Sequence, residues 1–290
     1  MSEVKQPLPI ATVPKDALLN KIKRVFTSAT LFLVTFFIVH ITFILVTALL
    51  CKMLGYKPIP TYNGIDRLPT EYKNWSTPRV FLIFMGGMLW VFLLGVSLLR
   101  VYNKQKGKEI EKLFVLWLIL NCIVYFLYLI IISPLGVDNN PSGFFRGPAV
   151  VATWLRISPI IMAFFSILAV AGCVFYGYYT GYEFLKFSYS NRLIQKSSGK
   201  NHITMQYFIS PVILGSIPIM AFANRITILA YLTYTVCLLA VGAGMIIKNI
   251  NDITTVKCVK SDVLNRLPWL YLAILAGFIV LIKLLLIRNK

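Results

Sequence analysis

Long apolar stretches separated by shorter polar ones set the plan of the chain. The first, residues 28–54 (SATLFLVTFFIVHITFILVTALLCKML), carries one histidine, His40, near its middle and no acid or arginine. At 1.5 Å per residue it exceeds the roughly 30 Å hydrocarbon core of a bilayer. Six more stretches follow, at 80–99, 113–133, 157–181, 207–223, 226–247 and 267–287. The pattern predicts an all-α fold, a polytopic transmembrane helix bundle of about seven spans with no soluble domain.

The polar segments qualify this plan. Residues 1–27 read as an N-terminal tail ending in an amphipathic interfacial helix. From Asp16 to Phe26, Leu18, Leu19, Ile22 and Phe26 recur at helical spacing beside Lys21, Lys23 and Arg24. Residues 28–290 form a single transmembrane domain. The segment 55–79 holds Pro58, Pro60, Pro69 and Pro78, a density that argues against a helix, with a turn expected at Gly64. The segment 134–156 has a turn-rich core from Asp138 to Gly143, and Ala149 to Leu155 is expected to turn helical. Spans 5 and 6 are separated only by Asn224 and Arg225, which leaves a re-entrant hairpin as the alternative to two full crossings. Pro211 and Pro218 predict a kink in span 5. Gly86 and Gly87 in span 2, and Gly177 and Gly181 in span 4, predict close helix approach.

Composition agrees with a lipid environment: 58% of residues are hydrophobic and 13% charged, well away from a soluble chain. The net charge of +19 sits in short loops beside apolar spans. It therefore points to anchoring at anionic lipid headgroups and not to nucleic acid. With seven spans and the N-terminus inside, inner segments hold 18 Lys and Arg against 9 in outer ones. That bias predicts a cytoplasmic N-terminus and an outer C-terminus in a bacterial inner membrane or its equivalent. The bilayer is the principal partner, with another membrane protein as a second.

Candidate chemistry is sparse. There are two histidines, His40 and His202, and all ten acids fall in loops or at span ends. No Walker loop, GxSxG, HExxH or dinucleotide fingerprint is present. The five cysteines suggest neither a disulfide framework nor a zinc cluster. No metal, cofactor or catalytic residue is expected. His40 and Asn121, both inside spans, are read either as interhelical hydrogen-bonding groups or as the lining of a polar cavity. The structural reading pairs His40 with Asn121 or with a Ser or Thr of span 4. Tyr179, in the tyrosine-dense end of span 4, is read as interfacial or ligand-binding. Glu183 is expected to pair with Lys186 or with the basic loop between spans 2 and 3. Arg225 is a hairpin anchor, and Asp138 a solvated loop residue or a pocket-lining one.

Three short segments resemble site-2-type intramembrane metalloproteases. Val46-Thr47-Ala48-Leu49-Leu50-Cys51-Lys52-Met53-Leu54-Gly55-Tyr56 resembles the second half of that family's first core helix, which has a similar A-x-x-x-K-x-x-G ending. Phe84-Met85-Gly86-Gly87-Met88 is similar to the start of its next helix. Ile132-Ser133-Pro134-Leu135-Gly136-Val137-Asp138 looks like the entry to its third ligand, which would fall near Asp138. The positions of HExxH read Phe43-Ile44-Leu45-Val46-Thr47, without either zinc ligand or the catalytic glutamate. The resemblance thus implies a degenerate, non-proteolytic relative.

Three functional readings follow. One is a non-enzymatic binding or scaffold protein, including a protease-like pseudoenzyme. The second is a transporter or channel for a neutral or lipidic solute, which requires a polar cavity reaching His40 and Asn121. The third is a lipid-modifying membrane enzyme using Asp138, Glu183 or Asp252.

Overall fold

The computed structural model describes residues 15–61, 64–66, 76–104, 109–136, 147–188, 193–223, 227–251 and 268–287. Asp138, Asp252, Arg225 and Cys258 lie outside the described residues. The protein is a helical membrane bundle. Its long helices are α1 (Lys15–Met53), α2 (Thr77–Lys104), α3 (Glu109–Ile132), α5 (Pro159–Leu185) and α8 (Thr227–Asn251), with the short α4 (Pro148–Trp154) before α5. The fifth crossing is composite. It consists of α6 (Ser197–Thr204), a π-turn (Met205–Ile209) and α7 (Ser210–Ala221). A last apolar helix, α9 (Trp269–Ile287), corresponds to the seventh expected span. Among the described residues six helices are both long and apolar enough to cross a membrane, and the apolar part of α9 is shorter.

Helices extend past the hydrocarbon-length stretches that hydropathy marks. α1 has 39 residues, about 58 Å of helix. The expected interfacial helix from Asp16 to Phe26 is its first part and runs into span 1 without a break. Leu18, Leu19, Ile22 and Phe26 are exposed there, and Arg24 is buried. Span 5 begins at Ser197, ten residues before the apolar run, because the polar residues 197–206 are also helical.

Helix ends follow local rules. α1 stops at Gly55, whose φ of 88° suits a residue without Cβ. The Tyr56 N–H reaches Cys51 O at 3.1 Å and the Gly55 N–H reaches Lys52 O at 3.0 Å, a Schellman closure. The proline-rich segment after it contains a hairpin of two three-residue strands, β1 (Ile59–Thr61) and β2 (Gly64–Asp66), with Thr61 opposite Gly64. α5 starts at Ser158, whose hydroxyl accepts from Ile160 N–H, with Pro159 in the first turn where its missing donor costs nothing.

Side-chain pairs fix the direction of each crossing. Trp117 meets Ser28, and Tyr125 meets His40, so α3 runs parallel to α1. Gly95 meets Cys122 while Phe92 meets Phe126, which makes α2 antiparallel to α3. Ser166 reaches Ile130 O and Gly172 sits by Leu127, so α5 is antiparallel to α3 as well. Gly177 lies on Val241 and Gly181 on Met245, so α8 runs parallel to α5. A chain that leaves the end of α5 and re-enters beside its start must traverse the bundle between them. α6, the π-turn and α7 make that traverse, and the re-entrant alternative does not fit it. The end where α1 begins is called the lower end below.

Candidate functional site

α3 is the central helix, packed against α1, α2, α5 and α8. Its polar positions Trp117, Asn121 and Tyr125 recur every four residues and so share one stripe. Each makes one rung to α1. At the lowest rung the Trp117 indole N–H donates to Ser28 Oγ at 3.0 Å, and Ser28 Oγ donates to Tyr207 O at 2.6 Å. Pro211, four residues on, has no N–H to offer Tyr207 O. In lipid a backbone carbonyl must find its donor within the protein, and here α1 supplies one. Trp117 also stacks on Phe208, with centroids 5.3 Å apart and planes 7° apart.

The middle rung belongs to Asn121, which is fully buried. Its Nδ2 donates to Thr35 Oγ1 at 2.7 Å and to Phe32 O at 3.3 Å. Its Oδ1 accepts from the Tyr234 hydroxyl of α8 at 2.5 Å. A backbone carbonyl can only accept, so the amide orientation is fixed by Phe32.

The upper rung is His40. Its ring is 5% exposed and stacks on Phe36 at 5.6 Å. The Tyr125 hydroxyl is 2.8 Å from Nδ1, and the Tyr231 hydroxyl of α8 is 3.3 Å from Nε2. A neutral imidazole has one donor and one acceptor nitrogen, and a hydroxyl can serve either. Both ring nitrogens are therefore satisfied with the histidine uncharged. The sequence paired His40 with Asn121 or with a Ser or Thr of span 4; the hydrogen bonds described here instead run to tyrosines of α3 and α8.

The predicted site residues fall into two places. His40 and Asn121 lie one rung apart in the centre, joined through Phe36, Tyr125 and Tyr234. Tyr179 and Glu183 lie near the lower end of α5. Tyr179 is exposed and touches only the rings of Phe175 and Tyr178 among the ring contacts described. Glu183 accepts from the Tyr102 hydroxyl of α2 at 2.7 Å and from Lys186 Nζ at 2.5 Å. Lys112, from the basic loop end, rests over the Tyr102 ring at 5.0 Å. Glu183 thus pairs with Lys186 as expected, and meets the span-2/3 region through Tyr102.

Sequence reasoning did not select Ser28, Tyr125, Tyr231 or Tyr234. The available signal was the spacing of two tyrosines by three residues inside apolar runs, at 125 and 128 and at 231 and 234. It also placed Gln206 in a loop. Gln206 sits on the π-turn, 2% exposed, with neither amide atom hydrogen-bonded. Nearby, Asn249 Nδ2 donates to Thr204 and Asn201 of α6.

The first two segments of the protease resemblance pack on one another. A Cβ on Gly87 would lie 2.1 Å from Thr47 Oγ1, and one on Gly86 2.4 Å from Leu50 Cδ1. Cys51, Val80, Ile83, Phe84 and Val151 make a separate apolar cluster at the upper end. Among the described residues no three His, Cys, Asp or Glu side chains are grouped so as to hold a metal ion. The arrangement binds helices to one another with hydrogen bonds and buried aromatic rings. Comparison with protein-family models, characterised proteins and solved structures finds no match to this chain.

Proposed function

We propose that this integral membrane protein is a non-enzymatic binding or scaffold protein, whose bundle presents a fixed surface to another membrane protein. The observation that carries this reading is the satisfaction of the central polar groups. His40 and Asn121 direct both ends of their side chains to neighbouring helices. Phe36, Tyr125 and Tyr234 fill the space around them at 0–1% exposure. A solute path needs polar groups facing an open cavity, and these face one another. The packing of Gly86 and Gly87 against Thr47 and Leu50 supports a protease-like pseudoenzyme within this reading, because Thr47 stands where that family places a zinc ligand. The N-terminus is proposed to be cytoplasmic. Arg100, Lys104, Lys112, Lys186, Lys196, Lys200 and Lys248 gather at the lower end, against Lys52, Lys57, Arg79 and Arg156 at the upper.

Affinity purification of the full chain from its native membranes tests the proposal. One membrane protein at a fixed stoichiometric ratio is the expected result. Turnover of a membrane peptide or lipid by the purified chain alone, lost in His40→Phe, would overturn it.

A further inference from the structure

The close seam between α5 and α8 fixes which of their side chains meet. A Cβ on Gly177 would collide with Val241 O, and one on Gly181 would lie 3.2 Å from Met245. Four residues before Gly177 and Val241 stand Cys173 and Cys237, so the same pairing, one turn along, sets these two thiols opposite each other. They share a thiol–thiol hydrogen bond. Both cysteines are free and buried, near the middle of their helices.

Two facts distinguish this pair from cysteines that only fill space. The first is how near the backbones come. A disulfide spans about 4.4–6.8 Å between Cα atoms, whereas packed helix axes ordinarily stay about 8–10 Å apart. A glycine seam is where two helices close that gap, and this one lies a single turn from the pair. The second is position. Val170, three residues before Cys173, and Val236, next to Cys237, both face outward, so the thiols lie just inside the lipid-facing surface. Cys122 of α3, also buried, faces Gly95 of α2 instead.

We propose that Cys173 and Cys237 form a modification site, a dithiol that a lipid hydroperoxide oxidises to a disulfide joining α5 to α8. One thiol attacks the terminal peroxide oxygen. The O–O bond breaks, the lipid alcohol leaves with the thiol proton, and a sulfenic acid forms. The second thiol then displaces the hydroxyl: the S–S bond forms, the S–O bond breaks, and water departs with the second proton. The two sulfurs together lose two electrons and the peroxide gains them. Because the second thiol already touches the first, it captures the sulfenic acid before further oxidation. The site is separate from the central rungs and does not rest on the scaffold reading.

Peptide mass spectrometry tests it on the full-length protein in its native membranes, treated with cumene hydroperoxide and then blocked with N-ethylmaleimide in SDS. A linked peptide pair carrying Cys173 and Cys237 is expected, and reduction with dithiothreitol should abolish it. Cys173→Ala and Cys237→Ala should each remove the linked pair completely, and Cys122→Ala should leave it. Wild type in which Cys173 and Cys237 both carry N-ethylmaleimide after the treatment would overturn the proposal. So would linkage by aqueous hydrogen peroxide but not by cumene hydroperoxide, which would place the oxidant in water and not in lipid.

Discussion

Two contacts hold this bundle together by opposite means. Between α1 and α3 the helices are joined by polar rungs at Ser28, Asn121 and His40. Between α5 and α8 the backbones touch across Gly177, Gly181 and Gly244. Lipid tails are as apolar as leucine, so burial of apolar surface gives little drive for either contact. One contact replaces that drive with hydrogen bonds of about 0.6 kcal/mol each, reaching about 1.7. The other replaces it with close packing over a long shared face. The first tolerates a change in side-chain volume if the polar groups stay paired. The second tolerates no added volume, because the obstacle is a carbonyl and not a movable side chain.

The largest expected effect tests the glycine contact. Gly177→Val must push α8 away from α5, and should destabilise the bundle by more than about 3 kcal/mol or prevent recovery of monodisperse protein. The midpoint of SDS-induced unfolding in mixed micelles reads this directly. A loss below about 1 kcal/mol would mean that the two backbones do not meet as described.

Asn121→Leu comes next, at about 2 kcal/mol by the same assay, since it strands the Tyr234 hydroxyl and frees Thr35 and Phe32 O. Pairing it with Tyr234→Phe in a double-mutant cycle should give a coupling of about 0.6–1.7 kcal/mol. Additive losses would show that the middle rung contributes by packing alone.

Tyr179→Ala should be the mildest, within about 0.5 kcal/mol, because its ring faces outward. A large loss there would move weight from the buried seam to the lipid-facing surface of α5.

Hydropathy made the existence of the crossings legible, because lipid imposes an apolar length that sequence displays. It did not make their ends legible. Residues 15–27 and 197–206 are helical yet polar, and helix formation does not stop where the hydrocarbon does. The glycine pairs were readable for a related reason: a residue without Cβ in a span has few uses other than close approach. The partners of His40 were not readable. They depend on the register between helices distant in sequence, and Tyr125 and Tyr231 count as apolar in any window average. The Glu183–Lys186 pair was readable because a spacing of three residues places both on one helical face. The Tyr102 hydroxyl that completes it comes from another helix. The π-turn carried no local signal beyond the proline that follows it.

The parallel pairing of α5 and α8 also has a consequence for biosynthesis. The glycine face of α5 meets its partner only after α6 and α7 have been made, roughly 60 residues later. At about 5–20 residues per second that is an interval of about 3–12 s. During it a newly inserted α5 has α3 to lean on but not the helix its glycines are shaped for. The rungs between α1 and α3 need no such wait, since both helices precede α5. They can form first and offer a settled platform on which the later, tighter seam is closed.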